Sequence, residues 1–167
     1  NYLGLFRAAE GGTLFLDEIT EMSPDVQSKL LRALQEKTVR PVGSEKEIPV
    51  NARVVASTNL DPERALQSGT LRADLYYRLQ ASVLQVPPLR ERGDDIALLV
   101  DFFLKLFNQK SGRVEPVTGI TEDALGALKN YSWPGNVREL ANAVESAVTF
   151  GRGALITAAD LPAAVFR

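Results

Sequence analysis

The stretch GGTLFLDE, residues 11–18, contains the most informative fold signal in the sequence. Its central part, Thr13 to Leu16, is a short continuous apolar run, which is typical of a strand buried on both faces of a parallel sheet. Two adjacent carboxylates, Asp17 and Glu18, follow this run directly. Because ligands of open parallel sheets bind beyond the carboxyl ends of the strands, the acid pair indicates a binding crevice at this point.

A second predicted strand, in ARVVASTN, also ends in polar residues, Ser57, Thr58 and Asn59. If the two strands are parallel neighbours, these side chains and the two carboxylates converge on one crevice. Neighbouring side chains on a strand diverge, so Asp17 and Glu18 would do different jobs. In P-loop NTPases an aspartate at such a place holds Mg²⁺, and an adjacent glutamate can activate the attacking water. The plain alternative, which a generic pattern of this kind favours, is that both acids are only solvated.

Composition excludes several classes of site. The 167 residues suffice for one compact domain or two small ones, and the net charge of −2 with no basic patch gives no electrostatic case for nucleic-acid binding. The absence of cysteine and histidine excludes disulfides, thiol nucleophiles, Cys/His zinc sites and histidine acid–base chemistry. No apolar run approaches the ~20 residues of a membrane span, and no signal peptide is evident, so we expect a cytoplasmic location and no membrane partner. The chain starts without methionine and in mid-pattern, which suggests a fragment of something longer.

The first part of the chain is predicted to be α/β. A helix is expected in MSPDVQSKLLRALQEK, with Ser23 as its cap and with Val26, Leu30 and Leu34 on one face. The remaining predictions are a hairpin around Gly43, a helix between Asp61 and Gly69, a helix in LRADLYYRL, and a third strand in ASVLQVPPL stopped by Pro87 and Pro88.

The pattern changes near Glu91 to Gly93, where we place a domain boundary. From Gly93 onward nothing indicates a strand. One helical stripe comprises Ile96, Leu99, Val100, Phe103 and Phe107. Further helices are predicted in ITEDALGALKNY, NVRELANAVESAVTFG and ITAADLPAAVF. Residues 1–92 are therefore expected to form an α/β part and residues 93–167 an all-helical part.

Three motifs in order resemble one family. GLFRAAEGGTLFLDEI is similar to the Walker B region of the sigma-54-dependent transcription activators, the NtrC-like branch of the AAA+ ATPases. LRADLYYRL resembles the arginine-finger segment of that family, and WPGNVRELAN its sensor II signature. The resemblance covers nearly the whole chain. It implies part of an AAA+ P-loop NTPase parallel-sheet subdomain over residues 1–92, followed by an all-helical lid subdomain over residues 93–167.

The resemblance implies roles for individual residues of the first part. Asp17 would hold Mg²⁺ together with ATP, and Glu18 would activate the hydrolytic water. The sensor I position falls on Asn59, which would sense the γ-phosphate and hold or release the glutamate; the alternative is that Asn59 caps the turn before Asp61. Four residues next to the Walker B strand are further candidates for nucleotide contacts: Ala9, Glu10, Gly11 and Gly12.

Three arginines carry the remaining implied roles. Arg72 and Arg78 would reach the γ-phosphate in the neighbouring subunit, since a guanidinium supplied in trans neutralises charge in the transition state. They do not share a helical face well, so one of them could instead form an intersubunit salt bridge. Without the family context, a solvated surface position for Arg78 is nearly as good an interpretation. Arg138 would point from the lid to the phosphates.

Other residues near these motifs have structural interpretations. Trp133 is expected in the core of the lid. For Arg90 and Arg92 a salt bridge at a hinge is preferred to a contact with nucleotide.

One motif that an ATPase needs does not occur in the sequence. No G-x-x-x-x-G-K-[ST] is present, although its backbone N–H groups and lysine would hold the phosphates. In the family this P-loop lies upstream of Walker B, with the sigma-contacting GAFTGA loop between them. We therefore expect the chain alone to bind ATP poorly, to hydrolyse none, and to self-associate through uncovered sheet surface.

For the intact protein the resemblance implies an ATP- and Mg²⁺-dependent hydrolase that assembles as a ring of six or seven subunits. Its partner would be sigma-54 RNA polymerase, and DNA would be bound by a helix-turn-helix outside this chain. Its control would be that of a two-component or otherwise signal-responsive regulator. The alternatives are a non-catalytic AAA+ interaction module and another AAA+ machine such as a chaperone or helicase loader.

Overall fold

The computed structural model describes residues 4–166 and divides between Leu84 and Gln85 into two compact units. The helices and strands of the first unit are α1 (Leu5–Ala8), β1 (Thr13–Leu16), α2 (Pro24–Glu36), β2 (Thr38–Val39), β3 (Ile48–Pro49), β4 (Arg53–Ala56), α3 (Pro62–Gln67) and α4 (Ala73–Leu79). Those of the second unit are α5 (Asp95–Ser111), β5 (Gly119–Ile120), α6 (Glu122–Asn130), α7 (Asn136–Phe150) and β6 (Leu155–Ile156).

The centre of the first unit is a parallel strand pair. β1 and β4 run side by side in a register that joins Thr13 to Arg53 and Leu16 to Ala56. The ladder continues past the strands, because the Ser57 N–H donates to the Leu16 carbonyl at 2.9 Å and the Ile19 N–H donates to the Ser57 carbonyl at 3.0 Å. Both strands thus end at the same edge, as predicted, and the polar residues that follow them come together there.

Helix α2 covers this pair with a face that differs from the predicted one. Leu30 and Leu34 are buried as expected, but Val26 is 44% exposed, so its placement on the buried face is wrong. The buried positions are Gln27, Leu30, Leu31, Ala33 and Leu34. Ser23 stands at the cap position, yet its side chain makes no capping hydrogen bond. The face is therefore centred one residue later than the hydrophobic stripe suggested.

The turn predictions for the first unit are confirmed. β2 and β3 form the antiparallel hairpin, with Gly43 at a φ of +78°, which glycine adopts without strain. Asp61 caps α3 through its side chain, which accepts from the Arg64 N–H at 3.0 Å. Gly69 follows this helix at a φ of +74°. Local turn chemistry was therefore sufficient to place these connections.

The predicted third strand is wrong. Residues 81–88 form no strand, and the side chains of Val83, Leu84 and Val86 are exposed. Within the described residues, the sheet of β1 and β4 has two strands only. A strand needs a neighbour for its backbone N–H and C=O groups, and this segment has none within that part of the chain.

The second unit is mainly helical. The predicted stripe on α5 is confirmed, with Ile96, Val100, Phe103 and Phe107 buried and Leu99 packed against them. The expectation that no strand follows Gly93 is wrong in one detail, because β5 and β6 form a two-residue parallel pair. The segment predicted as a last helix forms two 3-10 turns, Ala158–Asp160 and Ala163–Phe166, since Leu161 is extended before Pro162.

The segment 85–92 belongs to the second unit in the structure. Leu89 is buried in the helical core, and its N–H donates to the Asn136 side-chain oxygen at 2.8 Å. The sequence placed this segment with the first part; the functional boundary between residues 92 and 93 stays a prediction.

Across residues 4–166, every helix is too short or too polar to cross a bilayer.

Candidate functional site

Asp17 and Glu18 lie beyond the carboxyl end of β1 and are exposed. Ser57, at the end of β4, contacts both of them. Its Oγ donates to the Asp17 Oδ1, and the Glu18 N–H donates to the same Oγ at 3.1 Å. The structure therefore joins the Asp17 carboxylate and the Glu18 backbone to the end of the second strand.

The backbone of Glu18 is left-handed, with a φ of 50° and a ψ of 56°. For a residue with a Cβ this conformation costs roughly 1–2 kcal/mol. Such conformations persist where surrounding contacts fix them, and they cluster at functional sites. The backbone therefore changes direction at Glu18. As a result, the side chains of Asp17 and Glu18 start from differently oriented backbone segments.

The loop after β4 is tied to the turn after β1 by a second hydroxyl pair. Thr58 and Thr20 are joined Oγ1 to Oγ1 at 3.1 Å, and the Leu60 N–H donates to Thr58 Oγ1 at 3.1 Å. Asn59 is exposed between them. Asp61 caps the following helix through its own side chain. Both interpretations of Asn59, as sensor and as cap of the preceding turn, stay predictions.

The side-chain oxygens at this edge supply only part of the ligand set that a hard cation such as Mg²⁺ requires. The described residues contain no cluster of three or more acidic, histidine or cysteine side chains that could hold a metal. Mg²⁺, however, is commonly held by one or two carboxylates together with waters and substrate phosphates. One Asp17 oxygen is engaged by Ser57, which leaves the other for such a ligand. The residues present therefore fit Mg²⁺ that arrives with a nucleotide.

The segment of Ala9 to Gly12 lies at the opposite end of β1 from the carboxylates. Glu10 Oε2 accepts from the Asn51 N–H at 3.0 Å, and the Gly11 N–H donates to the Asn51 carbonyl at 2.8 Å. Gly11 has a φ of +70°. Four strand residues at ~3.3 Å each separate the two ends, so the structure does not bring this segment to Asp17. Its contact with nucleotide stays a prediction.

Arg72 stands immediately before α4 and forms a fork with Asp74. The Nε donates to Oδ1 at 3.1 Å and the Nη2 to Oδ2 at 2.7 Å. This hydrogen bonding raises the pKa of Arg72 and lowers the pKa of Asp74. Both side chains are nearly half exposed, so the guanidinium is held in a defined direction while solvent still reaches it.

Arg78 lies in the last turn of α4 and is exposed. Its Nη2 donates to the Leu34 carbonyl near the end of α2 at 3.0 Å. The two finger candidates thus lie at opposite ends of one short helix, and each already has a contact within its own unit. Which one reaches a neighbouring nucleotide stays open.

Gln27 is the residue that sequence reasoning missed. Its side chain is 1% exposed, and its Nε2 donates to the Met22 carbonyl at 2.9 Å and to the Thr70 carbonyl at 2.8 Å. Its Oε1 accepts from the Arg72 N–H at 2.9 Å. One buried amide therefore joins the turn after the carboxylates to the backbone of Arg72. The only sequence signal for this role is that Gln27 lies on the same helical face as Leu30, Leu31 and Leu34.

Gln27→Leu is expected to destabilise the first unit by about 2 kcal/mol or more, because three backbone groups lose their partner in a buried site. We expect a lower midpoint in urea unfolding followed by circular dichroism. Gln35→Leu, at an exposed position of the same helix, is the control and should leave the midpoint nearly unchanged. Equal effects of the two substitutions would contradict the assigned role of Gln27.

Arg138 is the third residue of α7 in the second unit and is exposed. The turn before it is tightly held. Trp133 is buried, as predicted, and its Nε1 donates to the Leu128 carbonyl at 2.8 Å. Glu139 accepts from the Gly135 N–H at 2.8 Å and from the Tyr131 hydroxyl at 3.0 Å, and the latter bond raises the pKa of Tyr131. These hydrogen bonds therefore fix the start of α7, the helix that carries Arg138.

The two arginines before α5 pair within their own segment. Arg92 Nε donates to Asp95 Oδ2 at 2.7 Å, and Arg90 approaches Glu91 at 3.4 Å. Both arginines are thus paired within their own segment, and the preferred structural role for them stays a prediction.

Comparison with known families matches both units. The sequence profile of the Sigma-54 interaction domain matches residues 1–85, and that of the AAA+ ATPase lid domain matches residues 90–167. Residues that match the first profile make up half of the chain, and the two profiles follow the same order as the two compact units.

Curated relatives and solved structures are consistent with the two family matches. The transcriptional regulatory protein ZraR of Salmonella typhimurium is 46% identical over 97% of this chain and 36% of its own length. The Nif-specific regulatory protein of Herbaspirillum seropedicae is 49% identical over 92% of this chain and 28% of its own length. Crystal structures of NtrX from Brucella abortus with ADP and with ATP are 39% identical, have a TM-score of 0.89 and cover 98% of this chain and 38% and 39% of theirs.

The chain therefore spans about a third of the length of these relatives. It belongs to the sigma-54 interaction domain family of the AAA+ ATPases, the family of the sigma-54-dependent transcription activators.

Proposed function

We propose that the chain forms part of the ATPase core of a bacterial sigma-54-dependent activator. The intact protein would form a ring of six or seven subunits and use ATP binding and hydrolysis to remodel sigma-54 RNA polymerase so that promoters open. The observation that carries this proposal lies beyond the carboxyl end of β1, where Ser57 at the end of the parallel strand β4 binds the Asp17 carboxylate and the Glu18 N–H.

Each site residue has a proposed part in hydrolysis. Asp17 would hold Mg²⁺, which when bound neutralises charge on the β- and γ-phosphates. Glu18 would accept the proton of the attacking water, because an exposed carboxylate at this strand end can reach a water beside a bound phosphate. Asn59, exposed on the loop beside Thr58, would contact the γ-phosphate or the glutamate.

The arginines would neutralise charge as the γ-phosphate departs. Arg138 would act in the subunit that binds the ATP, while Arg72 or Arg78 would act on the ATP of the neighbouring subunit. The fork with Asp74 supports Arg72 as the better oriented of the two. The 167-residue chain alone is expected to be inactive, since it contains no P-loop motif.

The relatives suggest the regulatory setting. ZraR is a transcriptional regulatory protein and NtrX has been solved with ATP and with ADP. By analogy, we propose that the intact protein responds to a signal, as two-component regulators do, and binds DNA through a segment outside this chain. The rival, a non-catalytic interaction module, has no need for the acid pair together with three exposed arginines.

A transcription assay tests the proposal. The protein expressed from its complete reading frame is mixed with purified polymerase on a supercoiled template that carries a sigma-54 promoter. We expect transcripts with ATP and Mg²⁺ and none with a non-hydrolysable ATP analogue or with excess chelator. Polymerase that carries a different sigma factor on its own promoter is the control. Equal transcription with the analogue would contradict the proposal.

A further inference from the structure

The Ser57 hydroxyl contacts two consecutive residues of the candidate site. It donates its single hydrogen to Asp17 Oδ1 and accepts from the Glu18 N–H at 3.1 Å. A serine hydroxyl has one donor hydrogen, and a carboxylate oxygen and a backbone N–H fix the direction of both bonds. The hydroxyl is therefore fully oriented by the two residues to which the proposed function assigns metal binding and water activation.

The backbone of Ser57 supports the same turn independently of the hydroxyl. Its N–H donates to the Leu16 carbonyl and its carbonyl accepts from the Ile19 N–H. These two bonds continue the strand pairing and do not require the side chain. Between them lies Glu18, whose left-handed backbone has its N–H satisfied by the Ser57 hydroxyl. Loss of the hydroxyl thus releases Asp17 and Glu18 while the strand pairing remains.

The neighbouring hydroxyl does not occupy the same place. Thr58 Oγ1 is bonded to Thr20 and to the Leu60 N–H. Its contacts therefore stabilise the following turn, whereas the Ser57 hydroxyl binds the Asp17 carboxylate and the Glu18 backbone N–H.

We infer that Ser57 is a positioning residue for hydrolysis. Its hydroxyl fixes the Asp17 carboxylate with one oxygen occupied, and it holds Glu18 in the left-handed conformation from which its side chain meets the attacking water. This inference rests on the proposed function, because it assumes that Asp17 and Glu18 form the hydrolytic site.

Ser57→Ala removes both hydroxyl bonds and keeps the backbone bonds. In the protein expressed from its complete reading frame we expect kcat for ATP to fall between about tenfold and a hundredfold, as small misplacements of reacting groups do. KM should change by less than about threefold, since ATP is held mainly elsewhere. Ser57→Thr retains the hydroxyl and should restore most of kcat. Ser28→Ala, which removes a hydroxyl that donates to Pro24 on α2, should leave kcat unchanged.

Amide exchange gives a readout that does not depend on activity. Without ATP and Mg²⁺, hydrogen–deuterium exchange resolved by residue should become faster at the Glu18 amide in Ser57→Ala. The Ile19 amide, whose acceptor is the retained Ser57 carbonyl, should stay protected. A purely structural role for Ser57 would expose both amides together. If Ser57→Ala fails to fold, Ser57→Cys, a close substitute with only a weak donor, serves for both measurements.

The outcomes separate this inference from the proposed function. If Ser57→Ala hydrolyses ATP at the normal rate while Glu18→Gln is inactive, the role of Ser57 is wrong and the proposed function stands. If both variants hydrolyse normally, the proposed function itself is wrong. Reduced kcat, rescue by threonine and selective exchange at Glu18 together would support the inference.

Discussion

We expect Glu18→Gln to abolish ATP hydrolysis in the protein expressed from its complete reading frame, while ATP binding persists. The amide keeps the size of the side chain and leaves the left-handed backbone and the Ser57 contact in place, but it cannot accept a proton from water. General-base catalysis contributes about 10²–10⁴-fold, so phosphate release should fall by at least that lower factor. A phosphate-release assay and titration with a fluorescent ATP analogue measure the two properties.

Glu21→Gln is the matched control for this substitution. Glu21 is an exposed carboxylate three residues away at the end of the same turn, and it makes no contact with Ser57. It should hydrolyse ATP at the normal rate. Normal turnover in Glu18→Gln, or equal losses in both variants, would contradict the assignment of Glu18 as the base.

Replacement of Arg72, the proposed finger, is expected to have an equally large effect. Arg72→Ala should lower kcat by about 10³–10⁵, the contribution of an arginine supplied in trans to phosphoryl transfer. Arg72→Lys should not restore it, because an ammonium cannot reproduce the planar fork that Asp74 orients. Arg78→Ala should give a smaller loss if Arg78 chiefly binds the Leu34 carbonyl.

Arg64→Ala, at an exposed position on α3, serves as the control for loss of positive charge in this unit. Steady-state hydrolysis and analytical ultracentrifugation should be measured together, since a variant that fails to assemble also loses activity. A larger loss in Arg78→Ala than in Arg72→Ala, with assembly intact, would reverse the assignment of the two arginines.

The sequence was sufficient for those parts of the site that depend on local pattern. The short apolar run, the acids after it and the polar end of the second strand predicted the β1–β4 edge, and the structure confirms that edge. The caps and turns at Asp61, Gly69 and Gly43 followed from side-chain and backbone chemistry that acts within a few residues. The preference for a core position of Trp133 over a ligand-stacking one agrees with its burial.

Other features depend on contacts that a linear pattern does not contain. The segment 81–88 is apolar enough for a strand, but a strand also needs a neighbour, and composition does not report one. Gln27 is polar by type and buried by position, because three backbone groups from distant segments converge on it. The role of Ser57 depends on the left-handed backbone of Glu18, which no residue type at that position predicted.

The β1 strand lies between two parts of the predicted site. Ala9 to Gly12 are close in sequence to Asp17, yet β1 places them at its other end. The four extended residues of β1 therefore separate this segment from the acid pair. Glu10 and Gly11 instead hold the segment before β4 through Asn51.

We propose that Glu18 acts on the ATP of its own subunit and Arg72 on the ATP of the neighbouring subunit. A mixture of two inactive variants, Glu18→Gln and Arg72→Ala, tests this division of roles. An interface that joins the intact acid pair of an Arg72→Ala subunit to the intact finger of a Glu18→Gln subunit has all the required groups. We predict that the mixture recovers ATP hydrolysis that neither variant shows alone. A mixture as inactive as its components, with mixed assembly demonstrated, would contradict the claim.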